Sequence, residues 1–173
     1  ADLAPLTTEN RALVRWGLLP SWVKDIKDFP VLINARADSL VEKPAFRNSM
    51  RSSRCVVPAD GYYEWMVGPD GKKHPYFISL AAKEPMVFAG LYATWNGPDG
   101  SSVDSAAIVT VTPNLDISGI HDRMPAILRG EAVDKWLDTD NVGPEEAASL
   151  GQTPAPGTLK YHLVRKELGK ADA

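Results

Sequence analysis

With 173 residues, 22 Asp and Glu against 19 Lys and Arg and a formal net charge of −3, the chain is no polycation, so any nucleic-acid binding must come from a local basic patch. A composition of 44% hydrophobic and 24% charged residues is that of an ordinary soluble globular protein, and the length suits one domain over residues 1–173. No apolar run reaches membrane-spanning length, no signal-peptide pattern opens the chain, and a single cysteine excludes an intramolecular disulfide framework, which together fit a reducing cytoplasm.

Taken in chain order, Asn10 to Leu19 reads as a strand, with Leu13, Val14, Trp16, Leu18 and Leu19 apolar and Pro20 as its stop. A short turn follows at 21–25. Val31 to Asp38 starts as a strand and ends in a polar loop. Lys43 to Ser53 reads as a helix, because Pro44 suits the first turn and Phe46 and Met50 share a face. Arg54 to Trp65 is a strand that begins buried at Cys55, Val56 and Val57. Pro58 and Gly61 should interrupt it as a bulge or bend before it resumes at Tyr62.

Two Gly-Pro-Asp-Gly turns, 68–71 and 97–100, punctuate the next strands, Lys73–Leu80, Met86–Trp95 and Val103–Thr112. Asp116–His121 is a compact loop, and Met124–Leu128 is one more short strand. Helices are expected at Glu131–Leu137 and Pro144–Leu150, a last strand at Leu159–Val164, and a polar, frayed tail from Lys166. The sum is an α+β domain of mainly antiparallel strands with a few short helices.

Metal and nucleotide chemistry find little support. His74, His121 and His162 are isolated, and neither a phosphate-binding glycine loop nor a dinucleotide fingerprint occurs. What remains is polar groups at strand ends. Glu64 between Tyr63 and Trp65 would be partly desolvated, which raises a carboxyl pKa and suits acid–base work; from local sequence alone, a surface Glu on an ordinary strand is the favoured reading. Asn34 and Arg36 alternate along one strand face; Asn both donates and accepts, and Arg forks onto phosphate, although taken alone the segment reads first as a turn Asn and a solvated Arg. His121 sits in the loop His121-Asp122-Arg123-Met124-Pro125, and proton transfer would follow if it faced Glu64. Cys55, in a buried strand pattern, reads as a core residue and not a nucleophile.

Five stretches occur in order: Arg15-Trp-Gly-Leu-Leu-Pro-Ser-Trp22, Asn34-Ala-Arg-Ala-Asp38, Arg54 to Trp65, Phe88-Ala-Gly-Leu-Tyr-Ala-Thr-Trp95 and Ile120-His-Asp-Arg-Met-Pro125. Together they resemble the SOS-response-associated peptidase (SRAP) family from about Arg15 to Leu137. The resemblance implies an α+β pseudo-barrel that acts on abasic sites in single-stranded DNA, as a monomer, with no cofactor, metal or membrane partner. It further implies a covalent thiazolidine link made by the amine and thiol of an N-terminal Cys, and self-cleavage in some precursors. The family's opening Met-Cys-Gly-Arg is not found in these 173 residues, so the nucleophile is expected on residues upstream of Ala1.

By resemblance, Asn34 positions the amine and sugar, Arg36 clamps a phosphate, Glu64 shuttles protons, and His121 promotes sugar-ring opening. Thr110 then lines the pocket, and Trp65 and Trp16 are candidates for stacking on bases or wedging the duplex. Arg15, Arg47, Arg51, Arg54 and Arg123 are candidates for a basic track.

Overall fold

The computed structural model describes residues 12–165. The expected strand start at Asn10 and the polar tail from Lys166 lie outside them. Two strands form the spine: β6 (Met86–Asn96) and β7 (Ser102–Val111). They run antiparallel from Asn96↔Ser102 to Gly90↔Ile108, closed by the tight turn in which Gly100 has φ +84°. Such a turn requires positive φ, which glycine adopts without steric cost. β3 (Arg54–Ala59) pairs antiparallel with the other edge of β6, and β1 (Arg15–Trp16) and β2 (Asn34–Arg36) pair parallel with β7.

Beyond Gly90 and Ile108 the spine strands part, and the segment 124–128 enters the opening. Its first two residues form β8 (Met124–Pro125), opposite Thr110 and Val111. Ala126 donates its N–H to Val109 O at 2.8 Å and accepts from Ala89 N–H at 2.9 Å, and Leu128 N–H donates to Val87 O at 2.8 Å. The inserted segment therefore satisfies backbone groups that the parting would otherwise orphan.

A second, three-stranded antiparallel sheet is built from β4 (Tyr62–Val67), β5 (Lys73–Leu80) and β9 (Leu159–Leu163), in the order β4-β5-β9. The fold is thus α+β as expected, but its strands make one six-stranded and one three-stranded sheet, not a closed barrel. Within Arg54–Trp65 the expected break also moves. Pro58 stays in register opposite Val87, because β3 is an edge strand whose outer side needs no proline N–H. The chain changes sheet at Asp60–Gly61, where a Cβ on Gly61 would lie 2.3 Å from Ile78 O and 2.5 Å from the Phe77 ring. Only a residue without a side chain fits that crossing. The expected first strand shrinks, among the described residues, to Arg15–Trp16.

Alternation along β3 and β6 divides the larger sheet into two faces. Leu91, Ala107, Val109 and Ala35 are fully or almost fully buried on the face to which Arg54 points. That face is covered by α1 (Pro44–Ser52) and α2 (Glu131–Leu137), with α3 (Pro144–Leu150) beside them. Phe88, on the other face, packs edge-on against Tyr62 of the smaller sheet. Both faces of Met86–Leu91 are therefore covered, which explains a continuous buried apolar run in place of alternation.

Arg54 is 4% exposed. Its guanidinium donates to the carbonyls of Met50, Trp136, Asp138 and Val142, and so ties the end of α1 to the end of α2. This overturns the expectation that Arg54 joins a DNA-facing basic track: its donors are spent inside the protein. Burial also lowers its pKa from the ordinary arginine value. Arg54→Met should destabilise the protein by about 3 kcal/mol, since it leaves buried acceptors unpaired. A urea denaturation midpoint that does not move would contradict this account.

Candidate active site

On the face of the larger sheet opposite Arg54, four residues stand in register across four strands: Cys55, Gly90, Ile108 and Asn34. A Cβ on Gly90 would meet Cys55 Sγ at 3.0 Å and Ala107 O at 3.4 Å, so the glycine is needed where the floor is tightest. Cys55 and Asn34 are three strand spacings apart, about 14 Å. Burial pushes the Cys55 thiol up to about 11. A thiol so placed is neutral at physiological pH and remote from Asn34, in agreement with a core role.

One step further along β2 and β7, Arg36 lies opposite Thr110. Asn34 and Arg36 are exposed, whereas Ala35 between them is fully buried, as alternation requires. The Arg36 guanidinium is engaged by Asp38 on the 3₁₀ turn Ala37–Ser39, Nη2 to Oδ2 at 2.9 Å and Nε to Oδ1 at 3.3 Å. Thr110 is buried, and its hydroxyl accepts from Nε and Nη2 of Arg123 at 3.4 Å each, while its carbonyl accepts from Nη2. Arg123 thereby fastens the loop that carries His121 to the central strand.

His121 Nε2 stands 3.9 Å from Glu64 Oε2. This is ion-pair distance and too long for a direct hydrogen bond, so a proton passing between them needs a bridging atom or a closer approach. Nδ1 accepts from Arg123 N–H at 3.0 Å, and has Arg123 O at 3.1 Å and Asp122 Oδ1 at 3.2 Å as acceptors when it is protonated. With Nδ1 accepting, the neutral ring carries its hydrogen on Nε2, toward Glu64. Burial raises the Glu64 pKa above the ordinary carboxyl value; His121 and a backbone hydrogen bond pull the other way, and Asp122 adds to the rise. The Asp122 charge also acts on Arg36, so the carboxyl, imidazole and guanidinium share one mouth.

The cause of the Glu64 desolvation differs from the one expected. Tyr63 and Trp65 point to the outer face of β4, 43% and 41% exposed, and do not flank the carboxyl. Its face-mates are Tyr62 and Met66, at the spacing of two that the strand imposes. Tyr62 carries a buried hydroxyl with no hydrogen-bond partner, and its pKa is raised by burial and by the Glu64 charge. The alternation Tyr62–Glu64–Met66 contained that signal. Trp16 is 59% exposed with its indole N–H on Ile33 O at 2.9 Å, and Arg15 points from the opposite side of the same short strand, exposed.

Arg47 and Arg51 are exposed on α1, behind the sheet. A shallow cavity of about 260 Å³ adjoins the site and shares Asp38 and Arg123 with it, but reaches neither Glu64 nor His121. Among the described residues no group of three or more His, Cys, Asp and Glu is placed to hold a metal ion, and no helix is long and apolar enough to cross a membrane.

Comparison with known proteins places this arrangement among relatives. Residues 5–171 match the family described as SOS response associated peptidase (SRAP). The chain is 45% identical over 139 residues to the abasic site processing protein YoqW of Bacillus subtilis, covering 80% of this chain and 62% of that protein. It is 37% identical over 167 residues to the abasic site processing protein HMCES of Rattus norvegicus, covering 79% of this chain and 47% of that protein. The chain thus spans 62% of the length of the first of these relatives and 47% of the second. A crystal structure of a protein from Bacteroides thetaiotaomicron superimposes with a TM-score of 0.83 at 33% identity, over 90% of this chain and 70% of that one.

The raised Glu64 pKa has a consequence for stability. A carboxyl whose folded pKa lies above its unfolded value of 4.5 binds its proton more tightly when folded, so its contribution is present below 4.5 and is lost as pH rises through the folded value. Glu64→Gln is therefore expected to raise the melting temperature at pH 7 relative to the unsubstituted protein, with the difference shrinking at pH 4. Equal shifts at both pH values would show that the carboxyl is not desolvated.

Proposed function

This chain belongs to the SRAP family, and on that premise we propose that it processes abasic sites in single-stranded DNA. The observation that carries the reading is the half-buried Glu64 carboxyl facing the His121 imidazole at 3.9 Å, beside the face that presents Asn34, Arg36 and Thr110. A carboxyl with a raised pKa is a stronger proton acceptor than an ordinary glutamate and holds its proton to higher pH, which suits it to acid–base work. An imidazole held by the Arg123 backbone can protonate or deprotonate the sugar oxygen as the ring opens to the aldehyde.

In this reading Asn34 orients the reacting amine and the sugar hydroxyls, and Arg36 grips the adjacent phosphate. The covalent step is condensation of an N-terminal cysteine with the aldehyde. The amine nitrogen adds to the carbonyl carbon and passes one proton to its oxygen, Glu64 supplies the second proton with which that oxygen leaves as water and takes a proton back from the iminium nitrogen, and the thiol sulfur then adds to the C=N carbon. The thiol proton ends on the nitrogen of the five-membered thiazolidine ring. Cys55 is not that nucleophile, being half-buried in the sheet, about 14 Å across it from Asn34 and predominantly protonated with its pKa pushed up to about 11. Self-cleavage of a precursor would use the same Glu64. A second reading is non-covalent binding of single-stranded DNA by the same face, favoured by the exposure of Asn34, Arg36 and the Trp16 ring along one edge of β7.

The test is to incubate the full-length natural polypeptide with single-stranded DNA bearing an abasic site, then separate the products on a denaturing gel. A shifted band is expected, formed at least about tenfold more slowly by Glu64→Gln, as removal of a general acid–base group demands, and unaffected by Cys55→Ala. Binding under native conditions with no band surviving denaturation supports the second reading and removes the first. Loss of the band in Cys55→Ala would overturn the assignment of Cys55 to the core.

A further inference from the structure

We propose that Asp38 is the positioning residue of the phosphate clamp: it holds Arg36 by one edge of the guanidinium and leaves the other edge turned to the DNA backbone. The inference rests on Arg36 as phosphate ligand, as proposed above, and names the residue through which that contact is prepared.

A guanidinium offers two forks, a side fork made by Nε and Nη2 and an end fork made by Nη1 and Nη2, each matching the two oxygens of a carboxylate or phosphate. Asp38 takes the side fork with both its oxygens. Among the described residues Arg36 Nη1 makes no hydrogen bond, so the end fork stays available. The contact does not bury the pair, whose side chains remain 58% and 56% exposed. Nor is Asp38 itself loose. It lies on the 3₁₀ turn that follows β2 directly, with Ser39 Oγ on Arg36 O and the Arg36 backbone in the ladder with β7. The carboxylate is held below its usual pKa, chiefly by the Arg36 hydrogen bond and with help from Arg123 and Lys43, so it stays charged wherever the protein binds DNA.

Two effects of Asp38 on DNA binding oppose each other. Its negative charge repels phosphate, an effect that salt screens at this exposure. Its hydrogen bonds hold a long, flexible arginine in one rotamer before DNA arrives, and so remove an ordering cost that would otherwise fall on binding. The bidentate geometry and the free end fork favour the second.

The two effects predict opposite results for the same substitution, which makes the proposal easy to overturn. The probe is a single-stranded oligonucleotide with a tetrahydrofuran abasic-site analogue, which cannot form a covalent link; affinity is read by fluorescence anisotropy on the full chain at two salt concentrations. Asp38→Ala is expected to weaken binding about three- to tenfold although it deletes a negative charge, the size of the ordering cost restored to Arg36. Asp38→Asn, which keeps one acceptor, should lose less. In an Arg36→Ala background the Asp38→Ala effect should vanish or reverse, because Asp38 then has no arginine to position.

Unchanged or tighter binding by Asp38→Ala with Arg36 in place would show that the pair is mere charge neutralisation, and the proposal would fall. If Arg36→Ala binds as the unsubstituted protein does, the phosphate-ligand reading falls and takes the proposal with it. If Arg36→Ala weakens binding while Asp38→Ala does not, only the positioning role is lost.

Discussion

The site depends on the parting of β6 and β7. Two antiparallel strands that separate midway expose a row of backbone donors and acceptors in the interior, and the chain must supply partners or lose the stability of each unpaired group. Segment 124–128 supplies them through Ala126 and Leu128. Once it is lodged there, the residues just before it have little choice of position. His121 comes opposite Glu64, and Arg123 reaches Thr110 on the strand alongside. The placement of His121 against Glu64 is thus a by-product of how the sheet repairs its own gap. A loop with the same sequence but no anchor of this kind would hold His121 in many places.

The electrostatics around that mouth follow a division of labour. Exposed polar groups at the opening have close neighbours, the Arg36 guanidinium with Asp38 at 2.9 Å and His121 Nδ1 with Asp122 at 3.2 Å. The half-buried Glu64 is treated differently. Among the described residues its one ion-pair neighbour is the His121 imidazole, beyond hydrogen-bond distance, so desolvation outweighs attraction and its pKa moves up. A carboxylate matched as closely as Asp38 would be too weak a base for proton transfer near neutrality.

Much of this was legible from the residues. Helices at 44–52, 131–137 and 144–150 and the long strands announced themselves through apolar spacing and turn chemistry, because those signals are local. The parallel pairing of β1 and β2 with β7 was not legible, since strands of two and three residues carry too few side chains to encode a partner. Arg54 was misread for a related reason: an arginine beside a buried strand looks like surface charge until the helix ends that absorb its donors are in place. Trp65 and Tyr63 were credited with shielding Glu64 on the strength of adjacency, although strand alternation already sends neighbours to opposite faces. Pairing of Arg36 with Asp38 was likewise hidden, because residues two apart on a strand do not engage one another by their side-chain ends and only the turn brings them together. Which residues are near in space at this site was therefore the part that one-dimensional pattern could not supply.

The brevity of β2 has a kinetic meaning. Thr110 sits on a strand with partners on both sides, whereas Asn34–Arg36 is a three-residue strip laddered to β7 alone. Local opening free energies follow such differences: a peripheral strip detaches by breaking few bonds, while a central strand exchanges its amide hydrogens only when much of the sheet comes apart. The protein therefore keeps Thr110 at a slow-exchanging centre and Asn34 and Arg36 on a fast-exchanging margin. A ligand that engages Asn34 and Arg36 would write its presence there first, as slowed exchange of a few amides, with the rest of the sheet silent.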